Sequence, residues 1–88
     1  MPWSVYMLRC GNGDIYTGVT TDIERRLREH QTRQGGRFTR MRQPIELVYH
    51  ESATSESEAK RREAQLKTWP RVKKLALIEG NVHTLKRA

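Results

Sequence analysis

A single cysteine, Cys10, stands in a chain of 88 residues. No intrachain disulfide can form, so packing must hold the fold, a pattern that suits a reducing cytoplasm. No apolar run approaches the ~20 residues a membrane-spanning helix needs. No basic stretch followed by an apolar segment opens the sequence, so no signal peptide is expected. Cysteine and histidine do not cluster at zinc-binding spacing. No glycine-rich phosphate cradle precedes a helix, and no aromatic-rich platform for single strands is evident, which weakens the case for RNA without removing it. Acidic residues are the last scarcity. Ten Asp and Glu face seventeen Lys and Arg, giving a net charge of +7 and a pI near 10.2. The excess points to an anionic partner, nucleic acid foremost, although solubility alone also uses Lys and Arg. The basic residues recur at Arg25-Arg26, Arg37 to Arg42, Lys60 to Arg62 and Arg71 to Lys74. That spread suits a wrapped or cleft-like surface better than a basic tail.

What is present reads as one small domain over residues 1–80, followed by a polar tail over 81–88. Trp3 to Arg9 is apolar on both faces, as a central strand would be. Gly11-Asn12-Gly13 is turn chemistry, and Asp14 to Val19 returns as a second strand. Thr21-x-x-Glu24 reads as a capping box opening a helix over about Asp22 to Gln31. Residues 32 to 44 form a basic loop. Ile45 to His50 is a third strand, with Ile45, Leu47 and Tyr49 expected on one face. Ser55-x-x-Glu58 opens a helix running to about Thr68. Pro70 suits the first turn of a third helix, which Gly80 should terminate. The fold class is α+β: a small three-stranded antiparallel sheet flanked by three helices, in the order β-β-α-β-α-α. The place of the third strand in the sheet stays open.

Several polar residues make poor sense as packing. They are Tyr6, Tyr16-Thr17-Gly18, Arg26, His30 and Glu63. Hairpin register decides whether the two phenols can cooperate. A two-residue Asn12-Gly13 turn would pair Tyr6 with Val19 and put the phenols on opposite faces. A three-residue loop pairs Tyr6 with Gly18 and Leu8 with Tyr16, on one face, with Gly13 in the left-handed conformation. The three-residue loop is the expectation here, against the local Asn-Gly signal. Gly18 weakens a strand unless something approaches closely, and a gap beside a phenol leaves space for a phosphate. Each tyrosine alone is also explained as ordinary strand packing.

Ile23, Arg26, Leu27 and His30 follow the i, i+3, i+4, i+7 stripe of a buried helix face. Arg26 and His30 therefore point toward the sheet or its rim, whereas Arg25 and Arg28 read as solvated. Ala59, Glu63 and Leu66 likewise place a carboxylate inward on the second helix. An inward carboxylate must meet a cation, a metal or a donor. A structural ion pair, for example with Arg26, is the competing account. Two phenols, a guanidinium, an imidazole and a carboxylate are the parts that phosphodiester cleavage needs.

These residues resemble the GIY-YIG nuclease superfamily. Val5-Tyr6-Met7 and Tyr16-Thr17-Gly18 look like its paired motif. Asp22 to His30 resembles its arginine-bearing first helix, and Glu63 falls at its metal-binding glutamate. The likeness spans residues 3 to about 79, closest to small stand-alone bacterial members. It implies a metal-dependent endonuclease with Tyr6 and Tyr16 jointly near the nucleophilic water. Arg26 would steady the phosphate, His30 would assist proton transfer, and Glu63 would hold one divalent metal, Mg2+ or Mn2+. Gly18, Arg37, Arg40, Arg42 and Lys60 are the candidate substrate-binding residues. The expected partner is DNA, with RNA and a protein partner as open alternatives. The sequence departs from the family pattern at Val19, where some members carry lysine, and at Leu75, where some carry asparagine. Asn81 lies six residues too late to replace the latter. These departures keep a non-catalytic nucleic-acid-binding module as the second reading.

Overall fold

The computed structural model describes residues 2–32 and 45–87, with side chains through Gly80. The elements are β1 (Trp3–Cys10), β2 (Ile15–Thr20), α1 (Ile23–Gln31), β3 (Ile45–Ala53), α2 (Glu56–Lys67) and α3 (Arg71–Arg87). The sheet is antiparallel in the order β2-β1-β3. The strand that is apolar on both faces is therefore the central one, with Val5, Tyr6, Met7 and Leu8 all buried.

The β1–β2 connection is the three-residue loop. Tyr6 pairs with Gly18 and Leu8 with Tyr16. The Cys10 amide donates to the Asp14 carbonyl at 2.9 Å, and the Gly13 amide donates to the Cys10 carbonyl at 2.8 Å. Gly13 adopts φ = 91°, a conformation that costs a side chain roughly 1–2 kcal/mol. Asn12 does not act as half of a two-residue turn. Its side chain folds onto Asp14, accepting from the Asp14 amide and donating to the Asp14 carboxylate, both at 3.0 Å. Arg71, at the start of α3, donates to the Gly13 carbonyl at 2.6 Å.

Period-two alternation then sorts the core. Val5 and Met7 face α2 and α3, packing with Ala59, Leu66 and Ile78. Tyr6, Leu8 and Cys10 face the other way and pack with Tyr16, Leu27 of α1 and Ile45. In β3 the alternation breaks. Met7 pairs with Tyr49 but Leu8 with Leu47, leaving Val48 as the extra residue of a bulge. The expected shared face of Ile45, Leu47 and Tyr49 is thus corrected. Ile45 and Leu47 join the α1 side, and Tyr49 joins the opposite core.

Helix ends also differ in detail. The N-cap of α1 is Asp22, whose carboxylate accepts from the Arg25 amide at 3.0 Å, rather than Thr21. The shorter reach of Asp22 to the first free amides wins over the Thr21 spacing. Ser55 caps α2 as expected, but Glu58 turns its carboxylate to the Thr54 hydroxyl. Gly80 does not end α3, which continues to Arg87. A helical glycine costs about 1 kcal/mol, too little to stop a helix alone. Among the described residues no helix is long and apolar enough to cross a membrane.

Candidate active site

The site is assembled on the α1 side of the hairpin. β1 supplies Tyr6, β2 supplies Tyr16 and Gly18, and one turn of α1 supplies Arg26 and His30. The two phenol rings lie with centroids 6.2 Å apart, and His30 sits 6.1 Å from the Tyr6 ring and 5.1 Å from that of Tyr16. The Tyr6 hydroxyl and His30 Nε2 are 3.1 Å apart. His30 is fully buried and Tyr6 nearly so, while Tyr16 and Arg26 keep access to solvent.

Gly18 explains how the rings fit. A β-carbon there would lie 2.6 Å from the Tyr6 hydroxyl oxygen, 2.8 Å from its Cζ and 3.1 Å from Tyr16 Cε1. The Tyr6 phenol occupies the space a side chain would take. The sequence reading assigned that gap to a phosphate; its occupant here is the phenol tip.

Electrostatics separates the groups. Burial, reinforced by Tyr16, pushes the Tyr6 phenol up to about 12, against the opposing pull of Arg26. Burial also lowers His30 to about 4, with the Arg26 cation adding to the effect. At neutral pH the interior of the cluster is uncharged, a phenol against a neutral imidazole, and the positive charge sits on the Arg26 guanidinium at the rim. Glu29 holds that guanidinium, with its Oε1 2.9 Å from Arg26 Nη1. The sequence reading did not single out Glu29, although its i, i+3 spacing from Arg26 was a usable signal.

Glu63 stands apart. It lies on α2, whose buried residues Ala59 and Leu66 pack on the opposite face of the sheet from Tyr6. Its carboxylate pairs with Lys67 at 3.3 Å and its side chain is 21% exposed, so it borders solvent. The competing account, an Arg26–Glu63 ion pair, is not what forms, because Arg26 pairs with Glu29. Lys60 is exposed and pairs with Glu56 at 3.6 Å. Arg37, Arg40 and Arg42 lie outside the described residues.

On the face that carries Thr17, the Thr17 hydroxyl is buried without a hydrogen-bond partner, which sequence alone gave no sign of. A groove of about 440 Å³ between β3 and α2, bordered by Glu51, Glu58, Arg61 and Arg62, contains none of the predicted site residues.

Residues 2–76 match the GIY-YIG catalytic domain family. The chain belongs to the GIY-YIG family. Its relatives include UPF0213 proteins of Staphylococcus saprophyticus, 45% identical over 84% of this chain and 90% of that protein, and of Staphylococcus aureus, 43% identical over 85% and 92%. Two solution NMR structures share the fold. A UPF0213 protein of Bacillus halodurans is 40% identical, with a TM-score of 0.58 over 90% of this chain and 84% of that one. A protein of E. faecalis is 32% identical, with a TM-score of 0.61 over 100% and 90%. The GIY-YIG domain places the chain in a nuclease superfamily.

GIY-YIG nucleases generally use divalent metal ions. Among the described residues, no group of three or more His, Cys, Asp or Glu could enclose such an ion. A lone carboxylate at the solvent boundary fits magnesium, which keeps several waters and accepts phosphate oxygens as ligands. Glu63, which borders solvent beside Lys67, is the residue that could hold an ion in that way.

Proposed function

We propose that this GIY-YIG protein is a metal-dependent endonuclease that hydrolyses phosphodiester bonds in DNA, directed by DNA structure or by weak sequence preference. The observation that carries this reading is the convergence of Tyr6, Tyr16, Arg26 and His30 around a side-chain-free Gly18. Chemistry of this kind needs a group to take a proton from water and a cation to meet charge on the phosphoryl oxygens. Arg26, at the rim, meets the phosphate. Tyr16, the solvent-reaching phenol, takes the proton of the attacking water in its phenolate form and becomes the neutral phenol. Tyr6 and His30 lie behind them as a neutral, hydrogen-bonded pair that fixes the ring positions. A divalent ion at Glu63 would supply Lewis-acid stabilisation of the phosphate. Arg37, Arg40, Arg42 and Lys60 would hold the backbone of the nucleic acid, and the basic surface predicts affinity that falls steeply with salt.

The second reading is a DNA- or RNA-binding module that keeps the fold without cutting. It is favoured by Glu63, whose only described ion-pair partner is Lys67, and by the apolar Leu75. A protein partner that completes the site is compatible with both. Incubation of purified protein with branched, nicked and linear DNA and with RNA, in magnesium, manganese or chelator, separates them. Metal-dependent strand cleavage supports the endonuclease. Tight binding with intact strands under every metal overturns it in favour of the module.

A further inference from the structure

The Arg26–Glu29 pair has an odd position for a helix-surface ion pair. Such pairs contribute little to stability when exposed. This one is only about one third exposed, 31% and 34% for the two side chains. The Arg26 guanidinium pairs with Glu29 at 2.9 Å and lies close enough to the Tyr6 and Tyr16 phenols to interact with them. Its Nη1 is committed to the carboxylate. A guanidinium is a rigid, planar fork, so fixing one nitrogen fixes the direction of the rest. Glu24, Arg25 and Arg28 are the remaining charges of α1; Glu24, Arg25 and Arg28 are all exposed. Glu29 is thus the anion built against the cation that the Proposed function assigns to the phosphate.

We propose that Glu29 is a positioning residue: it aims the Arg26 guanidinium across the phenol pair, and as a counter-ion it weakens the hold of Arg26 on the substrate phosphate before reaction. The inference rests on the role of Arg26 given above. Its two parts act in opposite directions. Aim raises turnover, because misplacement of a charged group reduces transition-state stabilisation. The counter-ion lowers ground-state affinity for a polyanion, because a phosphate meets a half-compensated charge.

Two variants separate the parts. Glu29→Gln keeps an oxygen acceptor for Arg26 and removes the negative charge. Glu29→Ala removes both. DNA affinity, measured by fluorescence anisotropy, should tighten about two- to fivefold in both variants. Turnover should fall about 10- to 100-fold in Glu29→Ala and much less in Glu29→Gln. NMR of the Arg26 side-chain Nε–H should show a restrained group in the wild type and in Glu29→Gln, and a mobile one in Glu29→Ala. Unchanged affinity, with Arg26 equally restrained in Glu29→Ala, overturns the inference. If the wild type binds DNA but cuts nothing, the nuclease reading fails, while the affinity and NMR results still decide whether Glu29 restrains and screens Arg26.

Discussion

Tyr6 and His30, 24 residues apart in sequence, meet through a 3.1 Å hydrogen bond inside the α1 face of the sheet. The bond ties the central strand to the first helix, and burial, with the Arg26 cation, keeps His30 neutral. The folded protein holds its imidazole near 4, against the ordinary 6.5. Between those values the unfolded chain binds the proton and the folded chain does not. Stability from this group is therefore present in full above about 6.5 and declines as pH falls toward 4. Urea denaturation at pH 7 and pH 5 should show a loss on the order of 1–2 kcal/mol. Replacement of His30 by Gln should reduce that slope. An equal slope in the variant would assign the pH dependence to other groups.

Gly18 should tolerate no side chain. In Gly18→Ala the new methyl meets the Tyr6 hydroxyl at 2.6 Å, so the phenol must leave or the strands must part. We expect a loss of about 1–3 kcal/mol and rupture of the Tyr6–His30 bond. Thermal denaturation and the His30 ring resonances in NMR report the two effects. A variant with wild-type melting and an unshifted His30 signal would contradict the packing described here.

The hairpin tip should be sensitive at two distant residues. Gly13→Ala places a side chain at φ = 91° and should cost about 1–2 kcal/mol. Arg71→Ala removes the 2.6 Å bond to the Gly13 carbonyl and should cost roughly 1 kcal/mol. Because both act on one turn, the double variant should cost less than the sum. Strict additivity in chemical denaturation would show that Arg71 does not support the turn.

The two phenols should separate by role. Tyr16→Phe is expected to lower turnover about 100-fold or more with little change in melting temperature. Tyr6→Phe should instead lose about 1–2 kcal/mol of stability, with a smaller effect on rate. Steady-state kinetics beside differential scanning fluorimetry makes the comparison, and the reverse pattern would exchange the assignments of the two residues.

Much of this arrangement was legible in the residues. Gly18 in a strand, opposite a required phenol, argued for the three-residue loop against the Asn12-Gly13 signal. The α1 stripe brought Arg26 and His30 inward. The bulge at Val48 was not legible, because Ile45, Leu47 and Tyr49 alternate without interruption and only the pairing with β1 shows the extra residue. Gly80 misled because a helix under tertiary packing absorbs one glycine. Glu63 was expected as an inward carboxylate; it instead borders solvent beside Lys67, and which side of the sheet α2 covers is not encoded in helix periodicity. Glu29 drew no reading in the sequence, because only its 2.9 Å pair with Arg26 sets it apart from the other charges of α1.

The most direct test is single-turnover cleavage of a 5′-labelled branched DNA in magnesium by the wild type, Arg26→Ala and Glu63→Gln, prepared identically. The account predicts cutting by the wild type that chelator abolishes and that each substitution lowers by about 100-fold or more, with all three proteins equally folded. Cutting that persists undiminished in Arg26→Ala would contradict it.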